Sequence, residues 1–149
     1  MKFESKKLVT KFVLALFMMA VCSTVAFAEQ APDDFSGHAY CATDVYEGIS
    51  TFGYYFKEDA RLFEITDKLY SIGEVLKVLS KKNVSENEIS QLGASCEYIG
   101  RWTLNKAKNE LTVLSDGEQV VVSYSISSDG KILCLTDRRG ASLALDRYY

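Results

Sequence analysis

Few residues in this chain could perform acid–base or nucleophilic chemistry. His38 is its only histidine, which excludes metal-binding motifs built on two histidines, such as His-Glu-x-x-His. Cys41 follows at an odd offset, so a regular strand would place the two side chains on opposite faces, and no thiolate–imidazole pair is expected. No glycine-rich phosphate loop and no Gly-x-Ser-x-Gly elbow occurs. We therefore expect no catalytic residue, no metal site and no cofactor, and a protein that is not an enzyme.

The neighbouring carboxylates have structural interpretations. Glu58 and Asp59 fall between two apolar, alternating segments and are expected in a turn. Glu64 and Glu97 alternate with apolar neighbours on predicted strands, so we expect both side chains to face outward. Neither pair calls for a catalytic role.

The first 28 residues have the layout of a signal peptide. Four lysines precede an apolar run over residues 12–28, which closes on the small-x-small triplet Ala26-Phe27-Ala28. An uncleaved membrane anchor is the alternative, but the run is shorter than the roughly 20 apolar residues that a span requires. We expect an exported protein, periplasmic or secreted, that is not an integral membrane protein after signal cleavage.

Cleavage after Ala28 leaves 121 residues, the size of one domain with a single core. Residues 29–34 read as a flexible leader and residues 35–149 as the domain. The mature chain carries 13 Lys and Arg against 19 Asp and Glu, a net charge of −6. A phosphate backbone would repel such a surface, so nucleic acid is not an expected partner.

Three cysteines remain after cleavage: Cys41, Cys96 and Cys134. In an oxidising compartment two of them are expected to form a disulfide, and three pairings are open. The third would be a buried small hydrophobe, a reactive thiol or a link to another chain.

The hydrophobic pattern changes period along the domain. Leu69, Ile72, Val75 and Leu79 recur at helical spacing and predict a helix over residues 69–81. A second, short helix is expected to begin at Ser85 and to end at Gly93, so that a helical insert covers about residues 69–92. The insert is expected to pack on the domain as a lid or plug; a partner-binding helix is the alternative. Alternating segments predict strands before and after it, over residues 36–43, 49–56, 61–65, 96–104, 111–115, 119–127, 131–136 and 141–146.

Eight short strands joined by hairpins favour an antiparallel up-and-down barrel over a two-sheet sandwich, because closure removes exposed strand edges. The fold class is mainly β, with the helical insert between the third and fourth strands. Aromatic residues at alternating positions are candidates for a barrel interior that binds a ligand: Tyr54, Phe56, Phe63, Tyr98, Trp102 and Tyr124.

Trp102 belongs to the one motif that resembles a known family. The triplet Gly100-Arg101-Trp102, followed by alternating segments at 109–115, 121–126 and 133–136, resembles the bacterial lipocalin-like small-barrel domains. In lipocalins proper the Gly-x-Trp motif lies on the first strand, whereas three strands and two helices precede Trp102 here. The resemblance therefore implies an exported calycin-type barrel more strongly than it implies transport of a cargo.

Two main functional hypotheses follow. The first is a non-catalytic exported binding protein that holds a small apolar or amphipathic ligand inside the barrel. The second is an envelope protein–protein interaction module with a filled barrel, such as a protease or lysozyme inhibitor. An outer-membrane barrel is a third hypothesis, but it would need strands of about 9–11 residues, longer than most of those predicted.

Overall fold

A computed structural model describes residues 35–46 and 48–149, with residues 44–46 as backbone only. The predicted signal peptide (1–28) and leader (29–34) lie outside the described residues. The fold class is confirmed: eight antiparallel strands close into a barrel, and a helical insert joins the third and fourth. The elements are β1 (His38–Tyr46), β2 (Ile49–Phe56), β3 (Arg61–Thr66), α1 (Ile72–Leu79), α2 (Glu86–Gln91), β4 (Cys96–Asn105), β5 (Glu110–Ser115), β6 (Glu118–Ile126), β7 (Ile132–Thr136) and β8 (Ser142–Arg147), with a 3₁₀ turn at Gly93–Ser95.

Each strand pairs with the next one in the chain, and β8 pairs with β1. The barrel therefore has two distinct ends. The end that carries Phe35 and the connections β2–β3, β4–β5 and β6–β7 is called the lower end. The opposite, upper end carries the helical insert and the turns β5–β6 and β7–β8. Asp116 and Gly117 both have positive φ, 48° and 78°, which confirms the hairpin turn predicted between β5 and β6.

The inner core lies inside the barrel, where alternate strand residues meet. Aromatic side chains occupy it towards the lower end, and aliphatic side chains from β5 to β8 complete it. Its buried members are Phe35, Tyr40, Ala42, Tyr54, Phe56, Leu62, Ile99, Trp102, Leu111, Val113, Val122, Tyr124, Ile126, Leu133, Leu135, Leu143 and Leu145.

An outer core lies on the opposite face of β1, β2 and β3, beneath α1. The apolar stripe of α1 packs against side chains that point away from the barrel axis. The insert is therefore packed on the domain, as expected, but against the outer wall and not inside the barrel. The buried members of the outer core are Ala39, Cys41, Tyr55, Phe63, Ile65, Ile72, Val75, Leu76, Leu79 and Leu92.

Both ends of α1 are fixed by hydrogen bonds. Ser71 and Glu74 form a capping box at its amino end. At its carboxyl end the ammonium of Lys57, from the β2–β3 turn, donates to the carbonyl oxygens of Leu79 and Lys81 at 2.6 and 2.9 Å. A cation there stabilises the helix because the partial charge of that end is negative. Within the described residues no helix is both long and apolar enough to cross a membrane.

A bulge interrupts β4 where it pairs with β3. Leu62 pairs with Gly100 and Phe63 with Tyr98, so Ile99 is an extra residue on the β4 side. An extra residue reverses the in–out alternation on one side of the bulge. Gly100 is required here because a Cβ would lie 2.3 Å from the carbonyl oxygen of Leu114.

Candidate functional site: the barrel interior

Four of the six aromatic candidates meet inside the barrel. Tyr54, Phe56, Trp102 and Tyr124 all belong to the inner core and are nearly inaccessible to solvent. They come from β2, β4 and β6, so residues distant in sequence converge on one buried cluster.

The other two candidates lie outside the barrel. Phe63 is buried in the outer core, and Tyr98 packs against it with ring centroids 5.6 Å apart while 46% of its surface remains exposed. The expected common face of Tyr98 and Trp102 is broken by the bulge at Ile99. Phe63 follows the interior residue Leu62 directly on β3, so its side chain points to the opposite, outer face. Its ring is buried there beneath α1.

Phe35 closes the lower end of the barrel, a role that no pattern in the sequence predicts. Its ring is fully buried and lies 4.8 Å from that of Phe56 and 5.0 Å from that of Tyr124, centroid to centroid, in edge-to-face geometry. Edge-to-face pairs add about 0.5–1.5 kcal/mol each beyond the area they bury. A single phenylalanine that precedes a strand has no periodicity to mark it as core.

Trp102 joins the aromatic cluster to the lower-end turn. Its ring is 5.5 Å from Phe56, nearly perpendicular, and its indole N–H donates to the carbonyl oxygen of Lys57 at 3.1 Å. The buried nitrogen is thus satisfied, which lets the whole indole fill the interior.

Two carboxylates lie on the interior side of the wall, contrary to the expectation that they face outward. Glu64 pairs with Tyr54 across β2–β3 and with Glu97 across β3–β4. Directly paired residues share a face, and Tyr54 belongs to the inner core. Burial raises the pKa of the Tyr54 hydroxyl well above its usual range, and the charges of Glu64 and Glu97 raise it further.

The expected disulfide is not found among the three candidate cysteines. Cys41 and Cys96 are free thiols. They lie in one cross-strand row, Cys41–Gly53–Ile65–Cys96, so three strand spacings of roughly 4.8 Å separate them, beyond the reach of a disulfide. Cys134 lies on β7, where it pairs with Ala144 of β8, away from both. The sequence argument failed because it used the compartment alone, whereas bonding also requires adjacent positions.

No catalytic arrangement forms around these groups. Burial raises the pKa of both thiols to about 12, for Cys96 with a further contribution from Glu97, so neither is a thiolate near neutral pH. His38 lies against the main-chain oxygen of Tyr149 and the guanidinium of Arg147, and not against Cys41. Among residues 35–46 and 48–149, no group of three His, Cys, Asp or Glu side chains is placed to hold a metal.

A shallow groove lies on the outer surface between α1 and α2, with a volume of about 360 Å³. Lys77 and Lys81 line it together with Glu74 and Glu88, and Lys81 forms a salt bridge with Glu88 at 3.4 Å. The mixed charges match no single class of ligand.

No protein-family model matches this chain, and neither a curated protein nor a solved structure shows significant similarity to it. The closed antiparallel barrel is compatible with a lipocalin-like fold. The same barrel is also compatible with a binding role.

Proposed function

We propose that this protein is a non-catalytic, exported binding module whose filled barrel acts as a scaffold and whose partner is another protein of the cell envelope. The observation that carries the proposal is the packing of the lower interior. Phe35, Phe56, Trp102 and Tyr124 contact one another there, in the volume that a carried ligand would need.

Displacing these rings would be costly. Burying a large aromatic side chain contributes about 3–5 kcal/mol, judged from Phe and Trp to Ala substitutions. A small ligand that replaced one ring would have to recover that free energy through its own contacts. Recognition by the outer surface of the barrel carries no such cost.

The non-catalytic part of the proposal is supported by the groups themselves. The thiols of Cys41 and Cys96 stay protonated near neutral pH, and the imidazole of His38 contacts the carboxyl-terminal residues and no nucleophile. The export part rests on the sequence of residues 1–28.

A second candidate function is favoured by the two interior carboxylates. Glu64 pairs with Tyr54 across β2–β3 and with Glu97 across β3–β4, and both charges raise the pKa of the Tyr54 hydroxyl. An amphipathic molecule with a cationic group would match this side of the interior, with its apolar part against the inner core. This is the small-ligand hypothesis, restricted to the part of the interior that contains Tyr54.

Native mass spectrometry of the mature protein, purified from the envelope of its own host without reductant, separates the two. We expect a complex with a second protein and no additional small mass. A reproducible extra mass of a few hundred daltons, lost on denaturation, would overturn the proposal in favour of the small ligand. In that case Glu64→Gln together with Glu97→Gln should abolish the extra mass, whereas Glu118→Gln, at the first residue of β6, should retain it.

A further inference from the structure

We propose that the turn between β7 and β8 binds a partner enzyme by placing Arg138 and Arg139 against the paired carboxylates of its catalytic cleft. The partner class that this chemistry selects is a glycoside hydrolase that attacks polysaccharide of the cell envelope. This inference rests on the proposed function, because it names the class of protein partner and the surface that binds it.

The tip of the β7–β8 turn carries two adjacent charges that the domain itself does not use. Arg138 and Arg139 follow the end of β7 and are both exposed. Within the described part of the chain, neither side chain forms a hydrogen bond or an ion pair. The remaining arginines of the domain all contact neighbouring groups: Arg61, Arg101 and Arg147. The two guanidinium groups of the turn are therefore free to bind another molecule.

Hydrogen bonds fix the backbone of this turn. The carboxylate of Asp137 accepts the N–H of Arg139 at 2.9 Å and that of Ala141 at 3.0 Å. The main-chain oxygen of Asp137 accepts the N–H of Gly140 at 3.1 Å, and Gly140 has a positive φ of 84°. A loop that is already ordered loses little conformational entropy on binding, so more of its contact energy appears as affinity.

The charge of the tip is opposite to that of the domain that carries it. The mature chain has a net charge of −6, and the β5–β6 turn on the same end of the barrel contributes Asp116 and Glu118. An extended anionic surface, such as a bilayer, would be repelled by the body of the domain. A protein with an acidic cleft and a basic rim complements both the tip and the body.

Two neighbouring arginines match two neighbouring carboxylates. Their Cα atoms lie about 3.8 Å apart, and each guanidinium stands at the end of a long side chain. A guanidinium holds a carboxylate through two parallel hydrogen bonds. The two carboxyl groups of glycoside hydrolases lie about 5–5.5 Å apart in retaining enzymes and about 6.5–9.5 Å apart in inverting ones, distances that two arginine side chains can span.

An arginine in such a cleft would stop the reaction. One of the two carboxyl groups has to be protonated, because it donates its proton to the leaving-group oxygen. A guanidinium beside that group favours its ionised form and lowers its pKa, so the proton donor is lost near neutral pH. The bound turn would also exclude the polysaccharide from the cleft. The protein would therefore act as an inhibitor of these enzymes.

Inhibition of c-type lysozyme, a retaining glycoside hydrolase with a glutamate–aspartate pair, tests the inference. The mature protein should inhibit the hydrolysis of a soluble oligosaccharide competitively, so that the apparent KM rises and kcat stays unchanged. No inhibition at a large molar excess would overturn the inference. A lowered kcat with an unchanged KM would also overturn it, because the turn would then bind outside the cleft.

The decisive variant is Arg138→Ala together with Arg139→Ala. It should raise the inhibition constant at least about 100-fold, because both charge-assisted pairs are lost. Its thermal unfolding should match that of the unsubstituted protein, since both side chains are exposed. The matched control is Lys106→Ala together with Lys108→Ala, which removes two exposed charges from the β4–β5 turn at the lower end and should leave inhibition unchanged. Equal inhibition by the two variants would contradict the role of the arginines.

Two further measurements separate this inference from the proposed function. A native complex with an envelope protein that is not a glycoside hydrolase would contradict the partner class alone, whereas a small-molecule mass would contradict the proposed function. Binding of phosphatidylglycerol vesicles that is lost in the arginine variant would overturn the inference in favour of a membrane surface.

Discussion

The inner and outer cores lie on opposite faces of the same strands and differ in the side chains that form them. On β2, Tyr54 and Phe56 point into the barrel while Tyr55 points out beneath α1. The inner core is aromatic at its lower end and is enclosed by the strands themselves. The outer core is largely aliphatic, contains the thiol of Cys41 and depends on α1 to cover it. The inner core is thus enclosed by the barrel strands, whereas the outer core exists only where the insert covers the wall.

Lys57 connects the two regions. Its carbonyl oxygen accepts the indole N–H of Trp102, while its ammonium donates to the end of α1. The comparison therefore predicts that damage to the inner core unfolds the whole barrel, and that damage to the outer core releases the insert first.

Trp102→Ala should have the largest effect. Loss of the indole from the inner core is expected to lower the free energy of unfolding by about 3–5 kcal/mol. Thermal unfolding followed by far-UV circular dichroism measures it. Leu114→Ala, at a half-exposed site on β5, is the control and should change stability little. A melting curve of Trp102→Ala equal to that of the control would refute the inner-core assignment.

Leu79→Ala should come second, at about 2–4 kcal/mol, because Leu79 is fully buried between α1 and the wall. Hydrogen exchange should rise in α1 and α2 while β5 and β6 stay protected. Lys77→Ala on the exposed face of the same helix is the matched control. Equal acceleration in β5 would mean that the two cores unfold as one unit, contrary to the comparison.

Lys57→Met should cost less, about 1–2 kcal/mol, since it removes two charge-assisted hydrogen bonds but keeps the carbonyl that binds Trp102. Urea unfolding gives the magnitude, and Lys57→Arg should recover part of it. We expect faster exchange at the carboxyl end of α1 and unchanged tryptophan fluorescence. A shifted emission maximum would indicate that the substitution also disturbs the inner core.

Alkaline pH should have the smallest effect of the four changes. The stability of the protein should stay unchanged near pH 7 and fall progressively above pH 9. Burial raises the pKa of Cys41 from 9.0 to about 12, so its contribution to stability is present below pH 9 and is lost as the pH rises towards 12. The urea midpoint should fall between pH 9 and pH 11, and less steeply in Cys41→Ala. An identical slope in the variant would show that this thiol does not carry the effect.

Much of the fold was predictable because its signals are local. Period-two alternation located the eight strands, helical spacing located α1, and Asp116-Gly117 marked a hairpin. The alternation alone could not say which face of a strand is inside. Because α1 covers the outer wall, the apolar face of β3 with Phe63 and Ile65 points outward, and the face that carries Leu62 and Glu64 points inward. The rule that apolar residues face the interior therefore predicts the wrong side for Phe63 and for Glu64.

The candidate site was predictable only in part, since it depends on features without a sequence period. The extra residue at Ile99 reverses the alternation on β4 and separates Tyr98 from Trp102. Phe35 joins the cluster from outside any strand. β1 also shifts its register against β2 between Thr43 and Tyr46, and such shifts arise from tertiary packing.

Closure between β1 and β8 also sets the order in which this protein can fold. His38 meets Tyr149 across 111 residues of chain, and the ring of Phe35 packs against that of Tyr124. Contacts of such high sequence separation slow folding, because the loop entropy is lost before the contacts form. The helical insert can form early from local contacts, but the barrel cannot close until its last strand has left the ribosome. A chain that ends before β8 should therefore remain an open, aggregation-prone sheet.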